Sequence, residues 1–291
     1  VMAVAGPIVA LAQNPFASEP IWTGDRVAPG VTQVALGDFD RDGDLDLFAR
    51  DGSSLDVFQN TGGNPFYERA VTSPGGGVGA PICIVGDVNR DGFVDVIVNR
   101  HLSLLLNQAG AYGEVWSEPA RHYAASLVDL DQDGDLDVFG GGHQSSPIPS
   151  HHVVYLNPGS GVYSPTGPDW EFVSAFNTWS VAVGDVDQDG DLDLICGNAG
   201  RGQYSWLPEH NQLLLNRGPS APRDSFLVVV EFPALDATTD LALGDIDGDG
   251  DLDLVVANDD STKLYLNVHI EGSPGVGGVF AEEASWATEF P

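Results

Sequence analysis

Residues 245–253 read DIDGDGDLD, and this nine-residue pattern decides how the chain is organised. The pattern D-x-[DN]-x-D-G-x-[LV]-D occurs five times, with the first residues of successive copies 49, 42, 56 and 60 positions apart. The other copies are DFDRDGDLD at 38–46, DVNRDGFVD at 87–95, DLDQDGDLD at 129–137 and DVDQDGDLD at 185–193. We name these segments the acidic loops and number the positions within each from 1 to 9. Such self-similarity indicates a fold built from repeated supersecondary units.

Short apolar runs flank the acidic loops and predict strands. Val34-Ala35-Leu36 precedes the first loop and Leu254-Val255-Val256 follows the fifth, as expected for strands buried on both faces. A third run in each repeat ends in Asn, and a fourth segment carries aromatic residues. The asparagines are Asn14, Asn60, Asn107, Asn157, Asn216 and Asn267, and the aromatics include Phe66, Trp116, Trp170, Phe232, Phe280 and Trp286. Four strands per repeat, without amphipathic helical periodicity, predict an all-β propeller with an acidic loop between the first and second strands of each blade.

The number of blades depends on Asn14, which lies too early in the chain to have an acidic loop of its own. Residues 1–25 are therefore predicted to be the last three strands of an incomplete blade, with Ile8–Ala12 as its third strand. The expected ring has six blades, with five or seven as alternatives. The tail around Ser285–Phe290 is expected to supply the missing first strand; the alternatives are a strand from a neighbouring chain, or a chain that is a fragment. The predicted single domain, 1–291, divides into units 1–25, 26–76, 77–122, 123–177, 178–237 and 238–291. Residues 1–13 also resemble the core of a signal peptide, but the phase of the repeats favours the fold.

The carboxylates of the acidic loops predict metal binding. Positions 1, 3 and 5 direct oxygen ligands into one concavity, Gly at position 6 permits the turn, and position 9 returns an Asp. At position 7 Phe93 replaces Asp in one copy, so the expected ligand there is the backbone carbonyl. The predicted ligands are Asp38, Asp40, Asp42, Asp44 and Asp46; Asp87, Asn89, Asp91, Phe93 and Asp95; Asp129, Asp131, Asp133, Asp135 and Asp137; Asp185, Asp187, Asp189, Asp191 and Asp193; and Asp245, Asp247, Asp249, Asp251 and Asp253. Oxygen ligands without His or Cys favour about five Ca²⁺ sites over Mg²⁺ or transition metals. The apolar residue at position 8 is expected to anchor each loop in the core.

An EF-hand loop begins in the same way but requires flanking helices and an acid at position 12. Position 12 is Ala49, Val98, Gly140, Cys196 and Val256, which excludes that alternative.

The repeats resemble the FG-GAP/VCBS family, the integrin-α-like calcium-binding propellers. Gly79-Ala80-Pro81 matches the name-giving motif in one repeat only, so the bacterial VCBS-like branch is the nearer resemblance. The resemblance implies metal ligands at positions 1, 3, 5, 7 and 9, an extracellular or cell-surface location, and a calcium-stiffened scaffold for adhesion or glycan recognition. It implies no particular ligand, because binding sites lie in loops grafted on a fold.

Composition excludes some partners. A net charge of −32 with 11 basic residues provides no basic face for nucleic acid or an anionic membrane. The acidic loops hold 23 of the 43 acidic residues, so more than half of the acidic residues are expected to be metal ligands. No apolar run is long enough to span a bilayer. Cys83 and Cys196 are expected to be free thiols rather than one disulfide, and His151-His152 is expected to be a surface pair, because neighbours on a strand point to opposite faces.

Ligand recognition is expected at the end of the blades opposite the acidic loops. Two predicted loops between second and third strands, 140–150 and 197–210, belong to adjacent blades. They would bring together a recognition patch consisting of His143, Arg201, Tyr204, Trp206, Glu209 and His210. The alternative is that Trp206 only packs its own loop.

Three functions remain open from the sequence. The leading hypothesis is a non-catalytic adhesion or recognition module for a carbohydrate or an extracellular protein. The alternatives are a structural module of a larger surface protein or filament, and a polysaccharide lyase using Tyr204, His210 and Arg201. No known catalytic motif supports an enzyme.

Overall fold

The structure, a computed structural model, describes residues 31–51, 54–62, 67–74, 82–98, 101–143, 150–174, 176–201, 206–218, 227–267, 280, 284 and 286–289. The strands in these ranges are β1 (Val31–Gly37), β2 (Asp46–Asp51), β3 (Ser54–Asn60), β4 (Tyr67–Pro74), β5 (Cys83–Gly86), β6 (Asp95–Val98), β7 (Ser103–Gln108), β8 (Ala111–Trp116), β9 (His122–Val128), β10 (Asp137–Gly142), β11 (Ser150–Tyr155), β12 (Trp170–Ser174), β13 (Thr178–Gly184), β14 (Asp193–Arg201), β15 (Trp206–Asn216), β16 (Leu227–Asp236), β17 (Thr238–Gly244), β18 (Asp253–Asn258), β19 (Ser261–Tyr265) and β20 (Trp286–Glu289). Within these ranges no helix is long and apolar enough to cross a bilayer.

The strands form five antiparallel sheets of four strands, each in chain order: β1–β4, β5–β8, β9–β12, β13–β16 and β17–β20. Each acidic loop joins the first strand of a sheet to the second. The last residue of the first strand pairs with the ninth loop residue, as Gly37 does with Asp46 and Gly244 with Asp253. The predicted all-β fold of four-stranded, blade-like sheets, with the acidic loops between first and second strands, is confirmed.

The core lies between neighbouring sheets. The first strands follow one another in space, β1 against β5, β5 against β9, β9 against β13 and β13 against β17. Four apolar clusters each combine side chains from two adjacent sheets; Phe48 meets Val96 in one and Val186 meets Tyr265 in another. Because each sheet buries its apolar faces against its neighbours, the sheets depend on one another for stability.

An asparagine near the end of the third strand bonds each of the last four sheets to the sheet that precedes it. Its Nδ2 donates to the carbonyl oxygen of loop position 2 in the preceding sheet, at 2.7–2.8 Å. The four pairs are Asn107 with Phe39, Asn157 with Val88, Asn216 with Leu130 and Asn267 with Val186. The recurring asparagine is therefore a connection between blades.

Position 2 anchors four of the loops in the core, and position 8 packs against the core in three, at Val94, Leu136 and Leu252. The position-2 side chains that are at most 2% exposed are Phe39, Val88, Leu130 and Val186. At position 8, Leu45 is 54% exposed and Leu192 36% exposed, so the prediction that position 8 anchors every loop is wrong for these two. Where position 8 is packed, it contacts the preceding sheet, as at Leu136, which would lie only 2.7 Å from a Cβ on Gly86.

The C-terminal tail completes the fifth sheet. In β20, Trp286 pairs with Leu264 of β19, so this strand is the outermost of its sheet. The expectation that Ser285–Phe290 supplies the first strand of an N-terminal blade is therefore wrong. Ile8–Ala12 and Asn14 lie outside the described residues, and the sixth blade and the single domain over 1–291 stay predictions.

The expected long loop 197–210 is mostly strand. Ala199 pairs with Pro208 and Arg201 with Trp206, so β14 and β15 continue as a hairpin beyond the body of the sheet. Gly140 belongs to β10 and Ser150 to β11, which shortens the other expected loop as well. The glycine-rich, polar sequence predicts loops, but antiparallel pairing of β14 with β15 satisfies the backbone hydrogen bonds here.

The expectation of a surface histidine pair is wrong for His152, which is fully buried. The N–H of Gly142 donates to Nδ1 at 3.1 Å, and Nε2–H donates to Oε1 of Gln212 in the next sheet at 2.8 Å. Burial lowers the pKa of His152 to about 4, so the ring is neutral at physiological pH. His151 is half-buried and pairs with Glu171. The two cysteines are free, with Cys196 buried and Cys83 half-buried.

In the fifth sheet, the last in the described series, the backbone carbonyl of loop position 2 lacks the asparagine donor that the other loops have among the described residues. Ile246 holds position 2 of the fifth loop, yet its side chain is 51% exposed, and no asparagine of the described residues donates to its carbonyl. We propose that Asn14 is its partner, because Asn14 has the phase of the other asparagines and precedes the first described sheet.

Replacing Asn14 by Asp tests this pairing, since Asp keeps the shape but removes the NH₂ donor. Each such hydrogen bond is expected to contribute about 1 kcal/mol to the free energy of unfolding. Asn14→Asp and Asn267→Asp should then lower the melting temperature by similar amounts. An effect of Asn267→Asp alone would show that residues 1–25 do not continue the ring.

Candidate metal centres and recognition surface

Two residues of every acidic loop have a left-handed backbone. Position 6 is Gly throughout, with φ between 87° and 99°. Position 4 has φ between 56° and 84°, although only the fifth loop has Gly there. The residues at position 4 are Arg41, Arg90, Gln132, Gln188 and Gly248. These two turns fold each loop around a common centre.

Backbone N–H groups orient the side chains at positions 1, 3 and 5. The N–H of position 6 donates to Oδ2 of position 1 at 2.8–3.2 Å in all five loops. The N–H of position 5 donates to Oδ1 of position 3 at 3.1–3.4 Å, and that of position 7 to Oδ1 of position 5 at 2.9–3.1 Å. These bonds leave further oxygen lone pairs available for a cation.

Four loops gather three carboxylates whose ligand atoms lie within 4.8 Å of one another. The clusters are Asp38, Asp40 and Asp42; Asp129, Asp131 and Asp137; Asp185, Asp187 and Asp193; and Asp245, Asp247 and Asp253. In three loops Oδ1 of position 1 is buried without a hydrogen-bond partner, in Asp38, Asp129 and Asp185. A buried carboxylate oxygen without a partner is costly unless a cation meets it. The donor set is all oxygen, which fits Ca²⁺.

The carboxylate at position 9 ties each loop to the rest of its sheet. Oδ2 of Asp137 accepts the N–H of Leu130 at 2.8 Å, and Oδ1 accepts the N–H of Asn157 at 2.8 Å. The same two bonds occur in all five loops. Burial outweighs these N–H groups and raises the pKa of Asp137 and Asp193 to about 7 and that of Asp95 to about 6. A bound cation would hold these groups ionised.

The loop 87–95 differs from the others. Nδ2 of Asn89 donates to Oδ2 of Asp91 at 3.0 Å, so an amide takes the place of a carboxylate at position 3 and engages the carboxylate at position 5. The ring of Phe93 lies 5.0 Å from the Arg41 guanidinium. This loop is not among the carboxylate clusters found in the described part of the chain, so four of the five expected calcium sites are supported and the fifth stays a prediction.

At the opposite end of the sheets, β-bulges displace single residues of the first strands. The register shifts at the second residue of four first strands, at Thr32, Tyr123, Trp179 and Thr239. Bulges often re-aim side chains next to functional sites. Here Tyr123 stacks on Trp179 of the next sheet with ring centroids 4.1 Å apart, and His143 meets Tyr123 edge-on at 4.1 Å.

The same surface continues onto the β14–β15 hairpin. The indole N–H of Trp179 donates to the Ala199 carbonyl at 2.7 Å, and the N–H of Asn177 donates to Oε2 of Glu209 at 2.8 Å. Nδ1–H of His210 donates to the Phe232 carbonyl at 2.8 Å. The ring of Phe176 meets that of His210 edge-on. We name this surface the aromatic patch; its residues are Tyr123, His143, Phe176, Trp179, Glu209 and His210.

The aromatic patch includes three residues of the predicted recognition patch, His143, Glu209 and His210. Arg201 and Trp206 pair through their backbones, but their side chains, like the whole of Tyr204, lie outside the described residues. Sequence reasoning missed Tyr123, Phe176 and Trp179. A signal existed, because Tyr123 and Trp179 each precede position 1 of their acidic loop by six residues.

A cleft of about 470 Å³ lies at the outer edge of the second sheet, where Glu114, Trp116 and Tyr155 face Ser164 and Thr166. The rings of Trp116 and Tyr155 are buried against each other, so the cleft offers little aromatic surface to a ligand. In the aromatic patch Tyr123 is as buried as Trp116, but Phe176 and Trp179 are only half-buried, so the patch is the better candidate for recognition.

Comparison with protein families identifies the repeats. An FG-GAP-like repeat model matches residues 38–98 and 129–196, and an FG-GAP repeat model matches residues 237–279. All five acidic loops lie in the matched segments, and the chain belongs to the FG-GAP repeat family. The predicted family is confirmed. A search of curated protein sequences found no match.

Two solved structures are similar. One is an Agrocybe aegerita lectin described for its specific recognition of non-reducing terminal N-acetylglucosamine, with 18% identity, a TM-score of 0.53 and coverage of 87% of this chain and 65% of that chain. The other is the Vibrio cholerae biofilm matrix protein Bap1, with 13% identity, a TM-score of 0.40 and coverage of 81% of this chain and 59% of that chain. This chain spans less than two thirds of either. The likeness to the lectin shows a shared fold.

The loop 87–95 is expected to bind calcium most weakly, because it has fewer carboxylates and one of them is engaged by Asn89. Asn89→Asp should raise its affinity on the order of tenfold, and Asp131→Asn should lower that of the loop 129–137 similarly. Anomalous scattering from crystals at graded calcium concentrations would show which ion leaves first. Loss of the ion at 87–95 after the others would contradict the expectation.

Calcium binding is expected to release protons near neutral pH. Because the ion-free pKa of Asp137 and Asp193 is about 7, calcium must displace protons below that pH, and its affinity should fall as pH drops from about 8 to about 6. Calorimetric titration in buffers of different ionisation enthalpy measures the released protons. Equal proton release at both ends of this pH range would contradict the assignment of position 9 as a ligand.

Proposed function

We propose that this protein is a calcium-stabilised, non-catalytic recognition module that binds a carbohydrate through the aromatic patch. The observation that carries the proposal is the stack of Tyr123 on Trp179 across two adjacent sheets, flanked by His143 and Glu209.

The chemistry of the patch suits a sugar. Aromatic rings present apolar surface to the C–H faces of a pyranose, and neighbouring polar groups bond to its hydroxyls. Trp179, His143, Glu209 and His210 are half-buried, so each retains some surface toward solvent. The indole N–H of Trp179 is engaged by Ala199 and one face of its ring by Tyr123, so only the remaining ring surface is left for contact.

The scaffold holds these groups firmly. Tyr123 and Trp179 lie in strands rather than in loops, and their orientation is fixed by bulges and by the stacking between sheets. A site on strands loses little conformational freedom when a ligand binds. Glu209 accepts the Asn177 N–H through Oε2, so Oε1 remains as a partner for a sugar hydroxyl.

The comparison with the lectin supports the class of ligand. That lectin shares the fold and recognises terminal N-acetylglucosamine, but at 18% identity the sugar bound by this chain is not inferred from it. The acidic loops support an extracellular or cell-surface location, since loops of this kind require the calcium concentrations found there. An extracellular protein ligand is the alternative partner.

A glycan array probed with the labelled full chain, in millimolar calcium and in EDTA, tests the function. We expect calcium-dependent binding to a defined set of glycans. Trp179→Ala should reduce that binding at least about tenfold, since stacking contacts of this kind contribute about 1–3 kcal/mol.

Trp286→Ala is the matched control, because Trp286 is 53% exposed and lies on the outermost strand of the fifth sheet. It should leave glycan binding unchanged, and circular dichroism should show that both variants keep the wild-type fold. Trp179→Ala is expected to lower the melting temperature, because it also removes the stack on Tyr123 and the hydrogen bond to Ala199. Absence of any glycan binding would favour a structural module, and binding that survives Trp179→Ala would move the site elsewhere.

A further inference from the structure

We propose that each calcium site is completed by the preceding blade: the side chain at position 4 of one acidic loop positions residue 7 of the next loop. This inference rests on the proposed binding of calcium by the loops. Position 4 is then a positioning residue for the neighbouring site rather than for its own.

The contact occurs between every pair of consecutive loops. Arg41 donates to the Asp91 carbonyl at 3.0 Å and covers the ring of Phe93. Nε of Arg90 pairs with Oδ1 of Asp135 at 2.7 Å.

The two glutamines make the same connection without charge. Nε2 of Gln132 donates to the Gly190 carbonyl and to Oδ1 of Asp191, both at 2.7 Å. Nε2 of Gln188 donates to Oδ1 of Asp251. Four different side chains, two charged and two neutral, thus reach residue 7 of the next loop. The shared feature is this contact.

The backbone at position 4 strengthens the argument. A non-glycine residue with positive φ is disfavoured relative to Gly, and φ is 58° at Gln132 and at Gln188. Local propensity alone would place Gly there, as it does at position 6. Four loops keep a long side chain in this disfavoured conformation, which is expected where the side chain has a structural or functional role.

The exception lies at the end of the series. Gly248 occupies position 4 of the last acidic loop, after which the sequence contains no further copy of the pattern. At the other end, Asp44 in the first loop receives no contact from a position-4 side chain of the described residues. Within residues 1–291, a long side chain stands at position 4 of the four loops that precede another acidic loop, and Gly stands at position 4 of the fifth.

Residue 7 is the place where such a contact would affect calcium. Its backbone carbonyl is the expected ligand, and its N–H already donates to position 5, so the side chain remains to fix the orientation of the peptide group. Fixing that group before calcium arrives lowers the conformational cost of binding.

Gln132→Ala provides the test, because it removes the contact to loop 185–193 without changing charge. Hydrogen–deuterium exchange of the full chain across a calcium titration reports the half-saturation concentration of each loop separately. We expect that of loop 185–193 to rise about fivefold, as for the loss of one hydrogen bond, while that of loop 129–137 stays within about twofold of wild type.

Three further variants make the result specific. Gln188→Ala should move the effect one blade onward, to loop 245–253, and Gln108→Ala, which removes an exposed glutamine at the end of β7, should change neither. Gln132→Gly removes the side chain without backbone strain and should reproduce Gln132→Ala.

An unchanged loop 185–193, or an equal shift of loop 129–137, would overturn the proposal. Absence of calcium protection in every loop of the wild-type chain would instead reject calcium binding itself.

Discussion

Repulsion among carboxylates at one end of every sheet is the constraint on which the rest of the structure depends. Each acidic loop brings three to five aspartates together, and in three loops an oxygen at position 1 is buried without a hydrogen-bond partner. The carboxylate at position 9 also accepts two backbone N–H groups that hold the second and third strands, as Asp193 does from Val186 and Asn216. A cation that neutralises the loop therefore stabilises the whole sheet. The side chain of Asn216 extends this to the preceding sheet, because its Nδ2 donates to the Leu130 carbonyl there.

The sequence predicts the fold well because the acidic pattern is both a turn signal and a ligand set. Asp, Gly and the apolar flanks specify the hairpin between first and second strands, and the recurring Asn marks the third strand. What the pattern alone does not reveal is which apolar position is buried. Phe39 at position 2 and Leu45 at position 8 are equally apolar, and only the packing of one sheet on the next buries Phe39 and exposes Leu45.

The aromatic patch is less predictable because it depends on register. Tyr123 and Trp179 meet because bulges shift both first strands at the same place, and no local propensity encodes a bulge. The segment 197–210 is rich in glycine and polar residues, yet it pairs as a hairpin, because tertiary context overrides composition. His152 is buried for a similar reason: Gln212 of the neighbouring sheet satisfies its Nε2–H, a partner 60 residues away in sequence.

In the proposed account, calcium at one end and the aromatic patch at the other define a rigid module whose binding surface would depend indirectly on its ions. The most direct test of this account is the thermal unfolding of the full chain in calcium and in EDTA. Each site adds about 2.7 kcal/mol at a hundredfold excess over Kd. Four sites should then raise the melting temperature by more than about 10 °C, with magnesium restoring little of it. Superimposable unfolding curves in calcium and in EDTA would contradict the account.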